Sequence, residues 1–479
     1  MKKVMYMKDS LKKILETYKQ SHLLRFENCV SEAENAALEA ELEKIDFPHL
    51  DTLIKDYVLK KPEISIPADL QPAPYFPLVP ADDTQQKLYA DAEKYGAELI
   101  AAGKVACLTV AGGQGTRLGY DGPKGTYPIG PVSGRSLFEY FALSIRRNEI
   151  KYGTQISWYI MTSLLNYEQT TAFFAENEYF GLKKEQIFFF IQGTMPAIDY
   201  NGKLLMNSKS SLALSPDGHG GTLLALKKSG ALDDMKAKNI EYISYFQVDN
   251  PLVRVLDPLF IGLHAIEKSD MSAIMLAKTN AFEKLGNFCI SNGKLQIIEY
   301  SDLPDELAQS IDENGKLRFI SGSPAIHVIS RYFIEKLTSG GTLSLPAHRA
   351  DKKVPYIDEN GSYITPDKPN AVKLETFIFD ALQLAEKTMV LEGDRKEVFG
   401  PTKNATGVDS AESCREMLIA RDCRRLEAAG VQIPRNQDGT PAVRVEISPL
   451  AAVDDADVAC YVKNKNIVKL DVGSVIVLD

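Results

Sequence analysis

From residue 86 onward, short runs of β-branched and aromatic residues alternate with stretches of helical periodicity: KVACLTV, ISWYIMT, IFFFIQG, YISYFQVDN and SAIMLAK. That alternation narrows the possible folds sharply. Strands that run parallel must be joined by long crossovers, and helices supply them, so the pattern predicts an α/β domain built on a doubly wound parallel sheet. Ligands of such sheets lie beyond the carboxyl ends of the strands. The loops that follow the predicted strands are therefore where chemistry is expected.

The chain has 479 residues, too many for one core at roughly 150 residues per domain. Residues 8–60 carry apolar positions at helical spacing, with Leu11, Ile14, Leu15 and Tyr18 and then Leu38, Leu42 and Ile45. They predict a helical N-terminal segment, closed by the proline-rich linker KPEISIPADLQPAPYFPLVPAD. Near the C-terminus, PAVRVEISPLAAV, VACYVKN and IVKLDVGSVIVLD read as strands. Three parts are expected: a helical segment and linker over 1–85, the central α/β domain over 86–385, and a small β-rich domain over 386–479.

A net charge of −9 excludes a general nucleic-acid or acidic-membrane surface, since both attract a basic face. Any polyanionic ligand must then meet a local basic cluster. No run of 18 apolar residues and no secretory leader pattern is present, which predicts a protein that neither spans a membrane nor is secreted. Six scattered cysteines without a C-x-x-C pair predict no disulfide framework, and Cys107 and Cys289 sit in apolar runs as buried thiols. A reducing, cytoplasmic location is the expectation.

The first predicted strand runs straight into LTVAGGQGTRLGYDGPKGTYPIG, residues 108–130. A dinucleotide fingerprint starting at Gly113 requires glycine at 118, where Leu118 stands, and a Walker A loop requires glycine just before Lys124, where Pro123 stands. What remains is a loop of small residues whose backbone N–H groups can approach phosphate oxygens closely. Arg117 adds a planar fork and Lys124 a compact charge.

This loop resembles the signature L-x-x-A-G-G-x-G-T-R-L-G-x-x-x-P-K-G of sugar-nucleotide pyrophosphorylases. The likeness continues through WYIMTS, YFGLKKEQIFFFIQGTMPAI, LSPDGHGG, QVDNPLV, DPLFIGLHAIEKSD, IIEYSDLP, NAVKLETFIFDAL and PTKNATG, from about residue 80 to 430. Together these stretches resemble the eukaryotic-type UDP-N-acetylglucosamine pyrophosphorylases and their UDP-sugar pyrophosphorylase relatives. The resemblance implies a Rossmann-like nucleotidyltransferase domain and a reaction in which a sugar 1-phosphate attacks the α-phosphorus of UTP, giving UDP-sugar and pyrophosphate. Such a transfer needs positioning and charge neutralisation more than a covalent nucleophile.

The same resemblance assigns roles residue by residue. Arg117, Lys124 and Lys373 are implied in catalysis, the first on the departing pyrophosphate and the second near the α-phosphate. Ala111, Gly112, Gly113, Gln192, Gly218 and Lys403 are implied in nucleotide binding, with Gln192 on the uracil edge and Gly218 and Gly220 allowing the chain close to a base or sugar ring. His219, Gly286, Glu299 and Ser323 are implied at the sugar, and Asp249 at Mg²⁺ or Mn²⁺.

Two stretches depart from the N-acetylglucosamine pattern. His219 replaces the asparagine of P-D-G-N-G-G, and in SGSPAIH Ser323 and Ile326 replace the two asparagines of A-G-N-I-A-N-H. Serine is shorter and isoleucine cannot hydrogen-bond, so an acetamido group loses partners. The favoured substrate on this reading is a hexose 1-phosphate such as glucose 1-phosphate, with N-acetylglucosamine 1-phosphate as the alternative. A non-catalytic nucleotide-binding regulator is disfavoured by the joint presence of Arg117, Lys124, Asp249 and Lys373, and a nicotinamide-dependent dehydrogenase by Leu118.

Overall fold

The computed structural model describes residues 7–61, 66–343 and 345–479; the first six residues and positions 62–65 of the proline-rich linker lie outside the described residues. The chain divides into two compact units. One comprises Met1–Ser65, Gln192–Gly221 and Ser344–Asp380, and the other Ile66–Ile191, Thr222–Leu343 and Ala381–Asp479.

The larger unit is built on an 11-stranded sheet. Strands Ile187–Ile191, Trp158–Thr162, Val105–Val110 and Tyr242–Gln247 lie side by side in that order and run parallel. Strand Val105–Val110 thus has a later strand on each side. The chain first winds outward through 158–162 and 187–191, then returns to add 242–247 on the other flank, which creates a topological switch point. Beyond 242–247 the sheet becomes mixed: His327–Ser330 pairs antiparallel to it, and Met271–Ala277 pairs antiparallel to His327–Ser330. The ribbon Gly286–Ser291 and Lys294–Ile298 extends the far edge, where Gln71 and Pro72 of the linker add a short antiparallel strand opposite Ile290 and Cys289.

The crossover helix Leu137–Tyr152 shows why the sequence folds this way locally. Ser136 accepts the Glu139 N–H at its start, and Gly153 ends it with φ +66°. Its inner face carries Leu137, Phe138, Phe141 and Ile145, all buried. Phe138, Trp158 and Phe174 pack edge to face with centroids 5.0–6.4 Å apart. Burying a large apolar side chain contributes about 1.5–3 kcal/mol, so this cluster anchors the sheet beneath the glycine loop.

The smaller unit gathers helices Asp9–Thr17, Glu32–Leu42 and Phe47–Leu53 with a sheet of Ala347–Lys352, Ala371–Thr376 and Ile198–Asp199. Its core joins Leu11, Leu15, Leu38 and Leu42 to Leu204, Met206, Leu212, Val372 and Leu374. Residues 192–221 and 345–380, which the periodicity assigns to the central domain, therefore pack with the N-terminal helices instead. The apolar stripe of those helices needs a partner, and segments distant in sequence supply it.

The C-terminal segment groups with the larger unit by contact but keeps its own cluster, including Ile419, Leu426, Val445, Val458 and Leu478. Strands Arg444–Ile447 and Val475–Leu478 pair in parallel. The run VACYVKN, expected as a strand, lies in helix Asp455–Lys465. Asp454 caps that helix by accepting the Asp457 N–H, and Val458 and Val462, one turn apart, are buried. Helical spacing and the cap override the β-branched composition. Among the described residues, no helix is long and apolar enough to cross a membrane, and the six cysteines are all free thiols, with Cys107 and Cys289 buried.

Candidate active site

The glycine loop leaves strand Val105–Val110 at the switch point and folds back on itself. Gly115 N–H donates to Gly122 O at 2.9 Å and Lys124 N–H to Gly113 O at 3.0 Å, while Gln114 and Pro123 form a bridge. Arg117 is exposed on the short turn Thr116–Leu118 at the tip. Lys124 is returned to the base of the loop. Ala111 is fully buried and its N–H donates to Met161 O at 2.7 Å.

Sequence reasoning missed Asn166. Its side-chain amide donates to Ala111 O at 2.9 Å and Gly113 O at 3.2 Å, and its oxygen accepts from Ser163 N–H at 2.8 Å. Asn166 is completely buried, so these bonds form without competition from water. The only signal for it is MTSLLN, in which Ser163 and Asn166 follow a strand end at turn spacing.

Gly113 differs from a packing glycine. A Cβ placed there meets nothing within 4 Å. Among the described residues, no neighbouring atom requires a glycine at this exposed position.

Asp249 follows the neighbouring strand Tyr242–Gln247, so both loops issue from adjacent carboxyl ends. Lys124 Nζ donates to Asp249 Oδ2 at 3.0 Å, with the two side chains only 15% and 13% exposed. Burial pushes the Asp249 carboxyl upward, yet the charges of Lys124 and Lys403 outweigh it and hold the group below its ordinary range. Lys403 reaches this point because its segment is stitched to the 249–250 backbone. Thr402 N–H donates to Asp249 O at 2.8 Å, Gly400 N–H to Asn250 Oδ1 at 3.0 Å, and Asn250 Nδ2 to Val398 O at 2.8 Å. Lys124 and Lys403 are thus gathered around Asp249.

Three of the residues expected at the sugar fall on one row of the sheet edge. Gly286 is the register partner of Ser323, and a Cβ on Gly286 would lie 3.3 Å from Glu299 Oε1. Ile326 is not part of that row. It is 6% exposed within the apolar core, and its carbonyl accepts the Ile274 N–H at 3.0 Å. Its apolar character is thus accounted for by packing.

The remaining expected residues belong to the smaller unit. Gln192 is buried, and its amide donates to Gly218 O at 3.1 Å and to Asp217 Oδ1 at 3.3 Å. Gly218 has φ +85°, and a Cβ there would lie 2.2 Å from Thr376 O; one on Gly220 would lie 2.7 Å from Phe377 N. Backbone approach within the protein by itself requires glycine at both positions. His219 stacks on Phe377 with centroids 5.2 Å apart, and its Nδ1 accepts the Ile378 N–H at 3.3 Å. Burial and the nearby His348 push the His219 imidazole down to about 4. Its place in this stack removes it as an argument for a particular sugar. Lys373 is half-buried on strand Ala371–Thr376, and burial lowers its ammonium pKa.

The sequence that builds this arrangement, a glycine loop and a lysine–aspartate pair at the switch point of the sheet, matches a known family. The family model for UTP--glucose-1-phosphate uridylyltransferase matches residues 69–473. The chain belongs to this UDP-sugar pyrophosphorylase family. It is a nucleotidyltransferase of the class that joins UTP to a sugar 1-phosphate, forming a UDP-sugar. The mouse (Mus musculus) UDP-N-acetylhexosamine pyrophosphorylase-like protein 1 is 34% identical over 473 residues, covering 94% of this chain and 93% of that protein. The Saccharomyces cerevisiae UDP-N-acetylglucosamine pyrophosphorylase is 38% identical over 364 residues, covering 74% of this chain and 75% of its own length. The crystal structure of uridine diphosphate N-acetylglucosamine pyrophosphorylase from Trypanosoma brucei in complex with inhibitor superposes with a TM-score of 0.80 at 28% identity, covering 96% of this chain and 95% of that one.

Proposed function

We propose that this uridylyltransferase acts on N-acetylglucosamine 1-phosphate rather than on a hexose 1-phosphate. The observation that carries the sugar assignment is the similarity, over most of the chain, to proteins named for N-acetylhexosamine and N-acetylglucosamine. The case for a hexose rests on His219, Ser323 and Ile326. Packing accounts for two of them, which leaves Ser323 alone beside Gly286. A serine hydroxyl can donate to and accept from an acetamido group, and its small side chain leaves that group space.

In the proposed mechanism the backbone of Ala111, Gly112 and Gly113 receives the nucleotide phosphates, with Asn166 holding the loop in shape. A phosphate oxygen of the sugar 1-phosphate bonds to the α-phosphorus of UTP while the bond to the bridging oxygen of the β-phosphate breaks. Pyrophosphate leaves with the electron pair. Lys124 and Lys403 neutralise charge on the phosphates and Arg117 grips the departing pyrophosphate, contributions that act with little reorganisation when the groups are already placed. Glu299, Gly286 and Ser323 hold the sugar. Gln192 reads the uracil edge with Gly218 beside it, and Lys373 supplies a further charge to phosphate.

Magnesium is bound in nucleotide enzymes through one or two carboxylates, the remaining positions being filled by phosphate oxygens and water. Asp249, kept ionised by Lys124 and Lys403, fits that mode. Among the described residues no group of three or more histidine, cysteine, aspartate or glutamate side chains is suited to a metal, so a resident, fully protein-ligated ion is not part of the proposal. When bound, Mg²⁺ or Mn²⁺ would supply charge stabilisation on the phosphates.

The test is to incubate the protein with UTP, Mg²⁺ and N-acetylglucosamine 1-phosphate and to quantify both products. Equal amounts of pyrophosphate and UDP-N-acetylglucosamine are expected, abolished by excess chelator. Pyrophosphate without UDP-sugar, or turnover indifferent to chelation, would contradict the proposal.

A further inference from the structure

Immediately downstream of Asp249, residues 251–256 wall a cavity of about 40 Å³ in the larger unit. A single water needs on the order of 10–15 Å³ on this measure, so the space admits a small polyatomic ion. Opposite walls come from helices Leu137–Tyr152 and Ala411–Ala428 and from the 449–454 turn.

Three arginines line this cavity: Arg254, Arg421 and Arg425. Arg421 and Arg425 stand one turn apart on the same helix and are 8% and 6% exposed. Like charges at that spacing repel. The Arg254 side chain is 35% exposed, but its Nε is buried and has no hydrogen-bond partner among the described residues. A buried donor left without a partner is costly, and the cavity that Arg254 lines has room for one.

The carboxylates nearby do not fill that role. Asp422 holds Arg421 at 3.0 Å, Glu397 holds Arg425 at 3.0 Å, and Asp257 lies 3.8 Å from Arg254, yet none of the three lines the cavity. Asp454 does line it, but that carboxylate pairs with Lys151 and caps the Asp457 N–H. Burial, and the Arg421 charge beside it, hold the Arg425 guanidinium below its ordinary range; Arg254 and Arg421, despite burial, are kept above theirs by Asp257 and Asp422. Arg421 and Arg425 thus enter the cavity wall already paired, Arg425 also with Asp455 at 3.5 Å, and Nε of Arg254 is the buried side-chain donor there that lacks a partner among the described residues.

We propose that Arg254, Arg421 and Arg425 form a site for a tetrahedral oxyanion, inorganic phosphate, distinct from the site at Lys124 and Asp249. Guanidinium forks match phosphate oxygens in geometry as well as charge. Bound phosphate would tie the chain that follows Asp249 to helix Ala411–Ala428. A purely structural ion-pair network would show no such ligand dependence.

The test follows thermal unfolding of the whole protein as inorganic phosphate is raised at constant ionic strength, with potassium chloride as the balancing salt. Phosphate is expected to raise Tm in a saturable way and chloride not to. Arg254→Gln should raise the half-saturating concentration by roughly ten- to a hundredfold, the worth of one charge-assisted hydrogen bond. Arg254→Lys, which keeps the charge and loses the fork, should fall between, so the result does not depend on the more buried Arg421 and Arg425. Lys124→Ala, which disables the catalytic phosphate cluster, should leave the response intact. An unchanged response in Arg254→Gln, a response lost in Lys124→Ala, or equal stabilisation by chloride would overturn the proposal.

Discussion

Lys124 Nζ stands 3.0 Å from Asp249 Oδ2 across a sequence separation of 125 residues. The two side chains meet because strands Val105–Val110 and Tyr242–Gln247 are parallel neighbours and each delivers a loop from its carboxyl end. The sheet places a cation and a carboxylate together one loop beyond a buried core, where neither relaxes freely into water.

Lys124→Ala should lower turnover by about 10²–10³-fold, the usual cost of removing one preorganised charge contact. It should also raise the Asp249 pKa, because burial then acts without its main counter-charge. The acid limb of the kcat–pH profile is expected to move to higher pH. An unmoved limb would detach Asp249 from the titration that controls rate.

Asn166→Ala should cost about 1–3 kcal/mol of stability through the Ala111 carbonyl and the Ser163 N–H it leaves behind, while Gly113 O keeps its bond from Lys124 N–H. Its effect on kcat/KM for UTP should exceed that on KM for the sugar 1-phosphate. Equal effects on the two substrates would show that Asn166 supports the unit as a whole and not the glycine loop.

Gly113→Ala and Gly218→Ala should behave oppositely. Gly113 has open space where the added methyl group would stand, so the alanine variant should melt like the wild type and lose activity with UTP. Gly218 combines φ +85° with a contact of 2.2 Å to Thr376 O, so its alanine variant should lose stability by several kcal/mol. Paired melting curves and kinetics check both.

Stability should fall on acidification below the ordinary histidine pKa. Burial pushes His219 down to about 4 and His264 down to about 3, the latter bonded to Ser272 Oγ at 2.7 Å and Ser330 Oγ at 3.0 Å. Between about pH 6.5 and these values the unfolded chain binds protons that the folded chain does not, so stability declines by up to about 1.4 kcal/mol per pH unit for each histidine. His219→Gln should flatten the slope of denaturation free energy against pH over that window; an unchanged slope would contradict the assignment.

The parallel strands and the glycine loop are legible in the sequence because both are local patterns: alternating periodicity, and small residues beside Arg117 and Lys124. The convergence of Lys124, Asp249 and Lys403 is legible through resemblance alone, since it depends on strand order and on the Asn250 stitching of residues 398–402. Asn166 is hidden because a buried amide reads as an ordinary turn residue. His219 and Ile326 mislead when their chemistry is interpreted without their surroundings. An aromatic stack and an apolar core select those side chains as readily as a substrate does.

The central claim is tested most directly by competition. The protein is given UTP, Mg²⁺ and equal concentrations of N-acetylglucosamine 1-phosphate and glucose 1-phosphate, and the ratio of the two UDP-sugars formed is read at early times. That ratio equals the ratio of kcat/KM values, and a pocket that hydrogen-bonds the acetamido group should favour UDP-N-acetylglucosamine by at least about tenfold. A mixture dominated by UDP-glucose would contradict the account and return Ser323 to the role of a hexose determinant.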